Sequence, residues 1–313
     1  MASQLVSLPE VERLSPVCIR VLAGNPGKFT LQGTNTYLLG RGSRRILVDT
    51  GEGVPSWITA IKSVLEQEQA SVETVLITHW HRDHQGGIQQ LLELSPDSKV
   101  FKNQPEEGQS DISDGQKFTV DGASLTAVFT PGHTVDHMAF ILEEEDAMFT
   151  ADNVLGQGTA VFEDLATYLD SLEKMRHLFR GRVYPGHGPA VEDGPSKILE
   201  YINHRKAREE QVIRTLRTTR QGEDIEGPAN AWTPMELVKV IYHDVPEELH
   251  VPACGGVIQV LAKLKKEDRV VESNGRWSTA NTLRRGGYRI RKDWSHHRSR
   301  TRPRWDGMSK SAK

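Results

Sequence analysis

Between Thr78 and Gly87 the chain reads T-H-W-H-R-D-H-Q-G-G, which places His79, His81, Asp83 and His84 within six residues. Three imidazoles and a carboxylate at this spacing are poor core material, because each needs a polar partner once buried. Their natural chemistry is metal ligation. Imidazole and carboxylate donors without a thiolate suit Zn²⁺, with Fe or Mn as alternatives. His79 and His81 are two apart and share a side along extended backbone, whereas Asp83 and His84 lie beyond the next bend. One loop can therefore feed two metals.

Further donors stand at similar positions downstream. Phe129-Thr130-Pro131-Gly132-His133-Thr134 sets a His after a strand and a Pro-Gly turn, and Val183-Tyr184-Pro185-Gly186-His187-Gly188 repeats that arrangement. Met148-Phe149-Thr150-Ala151-Asp152-Asn153 ends another apolar strand on a carboxylate. A lone His in a turn is usually a solvated surface residue, but four strand-end loops carrying His or Asp make a constellation. Two divalent metals about 3.5–4 Å apart supply hydroxide at neutral pH, polarise a carbonyl or phosphoryl oxygen and stabilise the leaving group. Asp83 is the candidate to take and return a proton. No G-x-S-x-G occurs and neither Cys18 nor Cys254 lies in a motif, so no protein nucleophile is required. The reaction type is metal-assisted hydrolysis.

The elements that present these residues follow from apolar patterning. Val75-Leu76-Ile77 reads as a buried strand and Gly86-Gly87 opens a helical segment, so the cluster sits on a strand-to-helix loop that a rigid scaffold positions. Residues 18–22, 36–39 and 46–48 read as strands. Asp49, just past the last of these, is expected behind the metal loop, where a carboxylate can orient a ligand His through its second ring nitrogen; the alternative is a solvated turn residue. Helical spacing runs over 58–68 and again over 165–179, where Leu165, Leu169, Leu172, Met175 and Leu178 form one core stripe. Alternating strands and helices over 17–190 indicate an α/β domain.

After His187 the character changes. A charged helix is expected over 198–218, then a Gly/Pro/acid-rich linker over 222–230. Thr233-Pro234-Met235-Glu236 has the form of a capping box with Pro at the first helical position. A second helix over 253–266 turns Val257, Val260, Leu261 and Leu264 inward, and Asn274-Gly275 joins a hairpin of 270–273 with 276–278. Helices followed by a small hairpin suggest a winged-helix-like module, read as a nucleic-acid reader, a lid over the cleft, or a cover for an exposed face. Residues 281–313 carry eleven Lys/Arg against two Asp/Glu, leaving 28 basic and 40 acidic residues in the first 280. This basic tail, expected to be disordered, could attract phosphates or contact the acidic body, while the acidic body argues against broad nucleic-acid affinity. The expected division is thus an N-terminal extension (1–16), a main domain (17–200), a C-terminal module (201–280) and the tail (281–313). Two distant cysteines fit a reducing compartment, no run approaches the roughly 20 apolar residues of a membrane span, and the first residues lack targeting features, so the cytoplasm is expected.

The string H-W-H-R-D-H with His133, Asp152 and His187 resembles the metallo-β-lactamase superfamily. That resemblance implies a four-layer αβ/βα sandwich with metals in a cleft at the edge of two sheets. It also implies that His79, His81 and His133 hold one Zn²⁺ ion, that Asp83, His84 and His187 hold a second, and that Asp152 bridges them. Ala151 stands where relatives commonly have Gly, and Val135-Asp136-His137 departs from the polar residue that often precedes that Asp. Segments such as N-P-G-K-F-T-L-Q-G-T-N-T-Y-L-L-G, E-E-E-D-A-M-F-T-A-D-N-V-L-G and W-T-P-M-E-L-V-K-V-I-Y are similar to one branch of the superfamily. That branch includes endoribonucleases of the β-lactamase-like protein 2 type and fungal polyketide thioesterases of the atrochrysone carboxyl ACP thioesterase type. The wording is nearer the fungal group. It implies hydrolysis of a polyketide thioester on the acyl carrier protein of a non-reducing synthase that lacks its own releasing domain; the alternative is zinc-dependent cleavage of single-stranded RNA. A non-catalytic scaffold would show a broken ligand set, and this set is complete.

Overall fold

The computed structural model describes residues 5–220 and 228–280. Two sheets form its centre. The first runs β1 (Val11–Ser15), β2 (Cys18–Leu22), β3 (Asn35–Leu39), β4 (Arg44–Val48), β5 (Ser71–Ile77) and β6 (Lys99–Lys102) in spatial order. Its pairings are antiparallel from β1 to β4 and parallel from β4 to β6. The second sheet runs in sequence β7 (Lys117–Val120), β8 (Ala123–Phe129), β9 (Met138–Leu142), β10 (Ala147–Ala151) and β11 (Val183–Pro185). The first sheet begins earlier than the sequence suggested, because β1 lies within the expected N-terminal extension and pairs with β2.

Strand alternation generates the layers. In β3 and β4, Tyr37, Leu39, Ile46 and Val48 point between the sheets, where they meet Phe118, Leu125, Phe140, Phe149 and Tyr184. Leu38 and Leu47 point the other way, onto Trp57 and Ile61 of α1 (Pro55–Glu68) and Leu91 of α3 (Ile88–Leu94). With period 2, one strand feeds two cores, and so these strands are buried on both faces. The outer face of the second sheet is covered by α4 (Leu165–Arg176) and α5 (Gly194–Leu216). The result is the expected α/β fold with four αβ/βα layers. One stripe residue differs: Leu178 is exposed, because the helix stops at Arg176 and the chain turns before Phe179, which is buried instead.

The C-terminal elements follow their local signals. α6 (Pro234–Ile241) starts with both hydrogen bonds of the capping box: Glu236 N donates to Thr233 Oγ1 at 3.2 Å and Thr233 N donates to Glu236 Oε2 at 2.7 Å. α7 (His250–Lys266) is followed by the hairpin β12 (Val270–Ser273) and β13 (Arg276–Thr279). Asn274 and Gly275 turn it with φ of 52° and 73°, the left-handed pair that a two-residue hairpin loop needs. Val257, Val260, Leu261 and Leu264 are all buried, in the same cluster as Leu165, Tyr168, Leu172 and Ile202. The module therefore shares a core with the helix layer and covers its exposed face. The expected linker falls largely outside the described residues and the basic tail wholly so.

A shared core predicts shared melting. Leu261→Ala should cost about 2–5 kcal/mol, and denaturant titration followed by fluorescence and circular dichroism should still give one coincident transition. Separate unfolding of residues 233–279 would contradict the shared core.

Candidate metal centre

The strand ends carrying the candidate residues meet at one edge of the sandwich, and backbone hydrogen bonds tie the two sheets there. Met138 N donates to Thr78 O at 2.8 Å, and Asn35 N donates to Gly186 O at 2.8 Å. Asn35 Nδ2 adds bonds to Pro185 O (2.9 Å) and Gly188 O (2.8 Å), so the loop bearing His187 is held from the opposite sheet. Residues separated by more than a hundred positions are thereby fixed before any ion is considered.

His79, His81, His133 and Asp152 form one cluster whose possible ligand atoms lie within 4.8 Å of one another. His81 Nδ1 sits 3.0 Å from His79 Nε2 and 3.1 Å from His133 Nε2. The outer nitrogens decide what these inner atoms present. His133 Nδ1 donates to Val161 O at 2.8 Å, so the neutral ring offers a lone pair at Nε2. Thr78 Oγ1 gives its proton to Asp49 Oδ2 at 2.9 Å and so accepts from His79 Nδ1 at 2.9 Å, which leaves a lone pair on His79 Nε2 as well. Converging lone pairs repel unless a cation lies among them.

The second cluster is Asp83, His84 and His187. Asp83, at the start of the short helix α2 (Arg82–Gln85), has Oδ2 3.3 Å from both His84 Nε2 and His187 Nε2, and accepts from Thr34 Oγ1 at 3.1 Å. His84 Nδ1 donates to Asp49 Oδ2 at 2.7 Å, which realises the orienting role expected of Asp49. Asp152 lies between the clusters, with Oδ1 3.3 Å from His84 and 3.2 Å from His187, and Oδ2 3.6 Å from His133. His84 Nε2 and Asp152 Oδ1 are nonetheless buried without a hydrogen-bond partner. A divalent metal fits this donor set.

Charge coupling inside the site is strong. Burial would lower the His187 pKa, but the Asp152 carboxylate 3.2 Å away outweighs this and pushes it up to about 9. His84 is likewise raised by Asp152, Asp49 and Asp83 against a burial penalty. Asp83 and Asp152 are held well below the ordinary carboxylate range: burial opposes this, and the neighbouring His84 and His187 overcome it. His79 is lowered by burial and by His84 and His133, so it stays neutral, as a ligand must.

Two backbone positions shape the space. A Cβ on Gly186 would lie 2.2 Å from Asp152 Oδ1 and 3.0 Å from His84 Cε1, so only glycine leaves the centre open. Ala151 has φ of 42°, a left-handed conformation that costs a non-glycine residue about 1–2 kcal/mol. That accounts for the Gly expected there in relatives.

All seven sequence candidates lie in these two clusters. Sequence reasoning missed their supports. Thr78 and Thr34 hydrogen-bond to Asp49 and Asp83; Thr78 had a local signal in standing directly before His79. Asp136 forms a buried ion pair with Lys102 at 2.7 Å that anchors the His133 loop to the end of β6. His137 is buried beside His79 and His133, with Nδ1 on Thr130 Oγ1 at 2.9 Å. These pairings are non-local and have no spacing signature.

The cleft over the clusters has a volume of about 320 Å³. Phe29, Leu31, Leu155 and Val161 supply its apolar walls, and Lys28 is its one lining Lys or Arg among the described residues.

Residues 29–187 match the family model described as Metallo-beta-lactamase superfamily, about half of the chain. The chain belongs to the metallo-β-lactamase superfamily. Residues 233–277 match the Beta-lactamase associated winged helix domain. The lactamase-like protein adaB of Aspergillus niger is 48% identical over 278 residues, covering 87% of this chain and 87% of the relative. The atrochrysone carboxyl ACP thioesterase of Aspergillus chevalieri is 48% identical over 271 residues, covering 86% of this chain and 87% of the relative. Among solved structures, a beta-lactamase domain protein from Burkholderia ambifaria superposes with a TM-score of 0.72 at 17% identity, covering 89% of this chain and 96% of the other. A metallo-beta-lactamase family protein from Thermus thermophilus gives 0.66 at 22% identity, covering 85% and 100%. Both share the fold.

Metal binding to this metallo-β-lactamase centre must displace protons. Raised pKa values mean that metal-free His84 and His187 hold protons at pH 7, and ligation needs neutral rings. Competition from protons is strongest at low pH, so apparent metal affinity should rise with pH up to about 9. Calorimetry in buffers of different ionisation enthalpy at pH 7 should show proton release; a buffer-independent heat would contradict it. Gly186→Ala should weaken metal binding by at least about tenfold, since the added carbon meets Asp152 Oδ1, a candidate ligand atom, and wild-type affinity there would refute the close approach.

Proposed function

We propose that the protein is a zinc-dependent thioesterase that hydrolyses a polyketide thioester carried on an acyl carrier protein, releasing the free acid in fungal aromatic polyketide biosynthesis. The observation that carries this reading is the 48% identity, over 86% of the chain, to a protein called an atrochrysone carboxyl ACP thioesterase. The partner is then the carrier protein of a non-reducing polyketide synthase. The cleft supports the same reading. Its apolar walls suit an aromatic acyl group, and its volume falls at the lower end of small-molecule pockets. The endoribonuclease alternative calls for a cationic groove with ring faces open to stacking bases; within the cleft itself Lys28 is the one Lys or Arg among the described residues.

In this proposal His79, His81 and His133 would hold one zinc ion, Asp83, His84 and His187 would hold a second, and Asp152, between the two clusters, would serve both. Two such ions would lower the pKa of the attacking water and polarise the thioester carbonyl. The chain's own residues manage the proton. Asp83 is ionised at rest, because its carboxyl is held well below the usual range by neighbouring His84 and His187 despite burial. It therefore accepts the proton of the attacking water only transiently. As the new carbon–oxygen bond forms and the carbon–sulfur bond breaks, that proton goes to the departing thiolate. Thr34 Oγ1 keeps the Asp83 carboxylate aimed into the centre.

Purified zinc-loaded protein should release free acid from a carrier-protein-loaded polyketide and leave single-stranded RNA intact. RNA cleavage without acid release would overturn the proposal. Asp83→Ala should lower kcat by at least about 100-fold, and full activity in that variant would refute its proton-carrying role.

A further inference from the structure

A second cavity, of about 580 Å³, adjoins the metal cleft. The two share Thr159, Ala160 and Val161 as lining, so this segment is the sill between them. The sill is held from both sides. Val161 O accepts from His133 Nδ1 at 2.8 Å, and Ala160 O accepts from Arg205 Nη2 at 2.6 Å. Beyond it, α5 presents His204, Arg205 and Arg208 to the cavity, and no acidic residue lines it among those described. The guanidinium of Arg205 lies over Phe162 at 4.8 Å and that of Arg208 over Tyr242 at 4.2 Å. Stacking fixes each cation while leaving N–H edges free to donate. The opposite wall is the Gly255-Gly256 pair of α7, where an added Cβ would meet nothing within 4 Å.

We propose that this cavity receives the phosphodiester end of a carrier protein's phosphopantetheine arm, whose uncharged remainder crosses the sill and delivers the thioester to the metal cleft. The inference rests on the thioesterase reading. A linear ligand with one anionic end and one neutral, acyl-bearing end matches two joined cavities, one basic and free of acids, the other largely apolar. RNA is a poorer match. It carries a charge at every nucleotide and stacks its bases on open ring faces, whereas the Phe162 and Tyr242 faces are covered by the chain's own arginines. Arg208 is the best phosphate donor, because Arg205 is committed to Ala160 O while Arg208 makes an exposed bond to Gln211 that a ligand can replace.

The test compares one acyl group presented on the carrier protein and as an N-acetylcysteamine thioester, which lacks the phosphate. Arg208→Ala should raise the KM of the carrier substrate relative to that of the small thioester by about tenfold, the size of one charged hydrogen bond. Arg208→Lys should recover part of it. Gly256→Leu fills the cavity from an open helical position, so the same ratio should rise while Tm holds or increases. In wild-type protein, 4′-phosphopantetheine should compete about tenfold more tightly than pantetheine, and Arg208→Ala should abolish the difference. If both thioesters are hydrolysed, both variants keep the wild-type ratio and the two competitors are equal, this assignment alone falls. If wild-type protein hydrolyses neither thioester, the thioesterase reading falls and the assignment with it. Weakened RNA cleavage in Arg208→Ala would give the cavity to nucleic acid instead.

Discussion

The carboxylate of Asp49 sets the orientation of both metal-binding clusters. Its Oδ1 accepts Thr78 N, and its Oδ2 accepts Thr78 Oγ1 and His84 Nδ1, at 2.7–2.9 Å. Through Thr78 it fixes the ring of His79 in one cluster, and directly it fixes His84 in the other. Asp49 does this from a left-handed backbone position with φ of 60° at the end of β4, beside the parallel strand β5 whose end launches the loop. Parallel pairing brings both strand ends to the same edge, and without it one carboxylate could not serve both rings.

Around that anchor the centre is assembled against electrostatic cost. Buried imidazoles and carboxylates are tolerated only when charges are matched and lone pairs find partners. Asp152 matches one oxygen to each cluster, and Gly186 removes the side chain that would block it. The rest of the fold holds these groups in place. The Lys102–Asp136 pair fastens the His133 loop, Asn35 fastens the His187 loop, and Val161 O sets the His133 ring. Arg205 of α5 braces the adjoining carbonyl, and Tyr201 of the same helix bonds to Leu155 and Gly158, so the outer helix layer supports the wall of the metal cleft.

Much of this was legible in the sequence. The seven candidate ligands were visible because metal chemistry restricts both residue type and position, and strand-end loops recur with the same Pro-Gly-His wording. The layers were legible from period-2 strands, and the C-terminal module from Thr233 to Glu236 and from Asn274-Gly275, where local hydrogen bonding dictates the turn. Leu178 was misjudged because the hydrophobic period continues past the point where the helix ends. The supports Thr34, Lys102, His137 and Arg205 were invisible because each acts through a tertiary contact that no spacing encodes.

Asp152 lies between two separately oriented clusters, an arrangement that should load as a paired centre. Diffraction from crystals of the zinc-loaded protein, collected on both sides of the zinc absorption edge, tests it most directly. Two anomalous peaks are expected, one among His79, His81 and His133 and one among Asp83, His84 and His187, with Asp152 touching both. A single peak, or two peaks that leave Asp152 unligated, would contradict it.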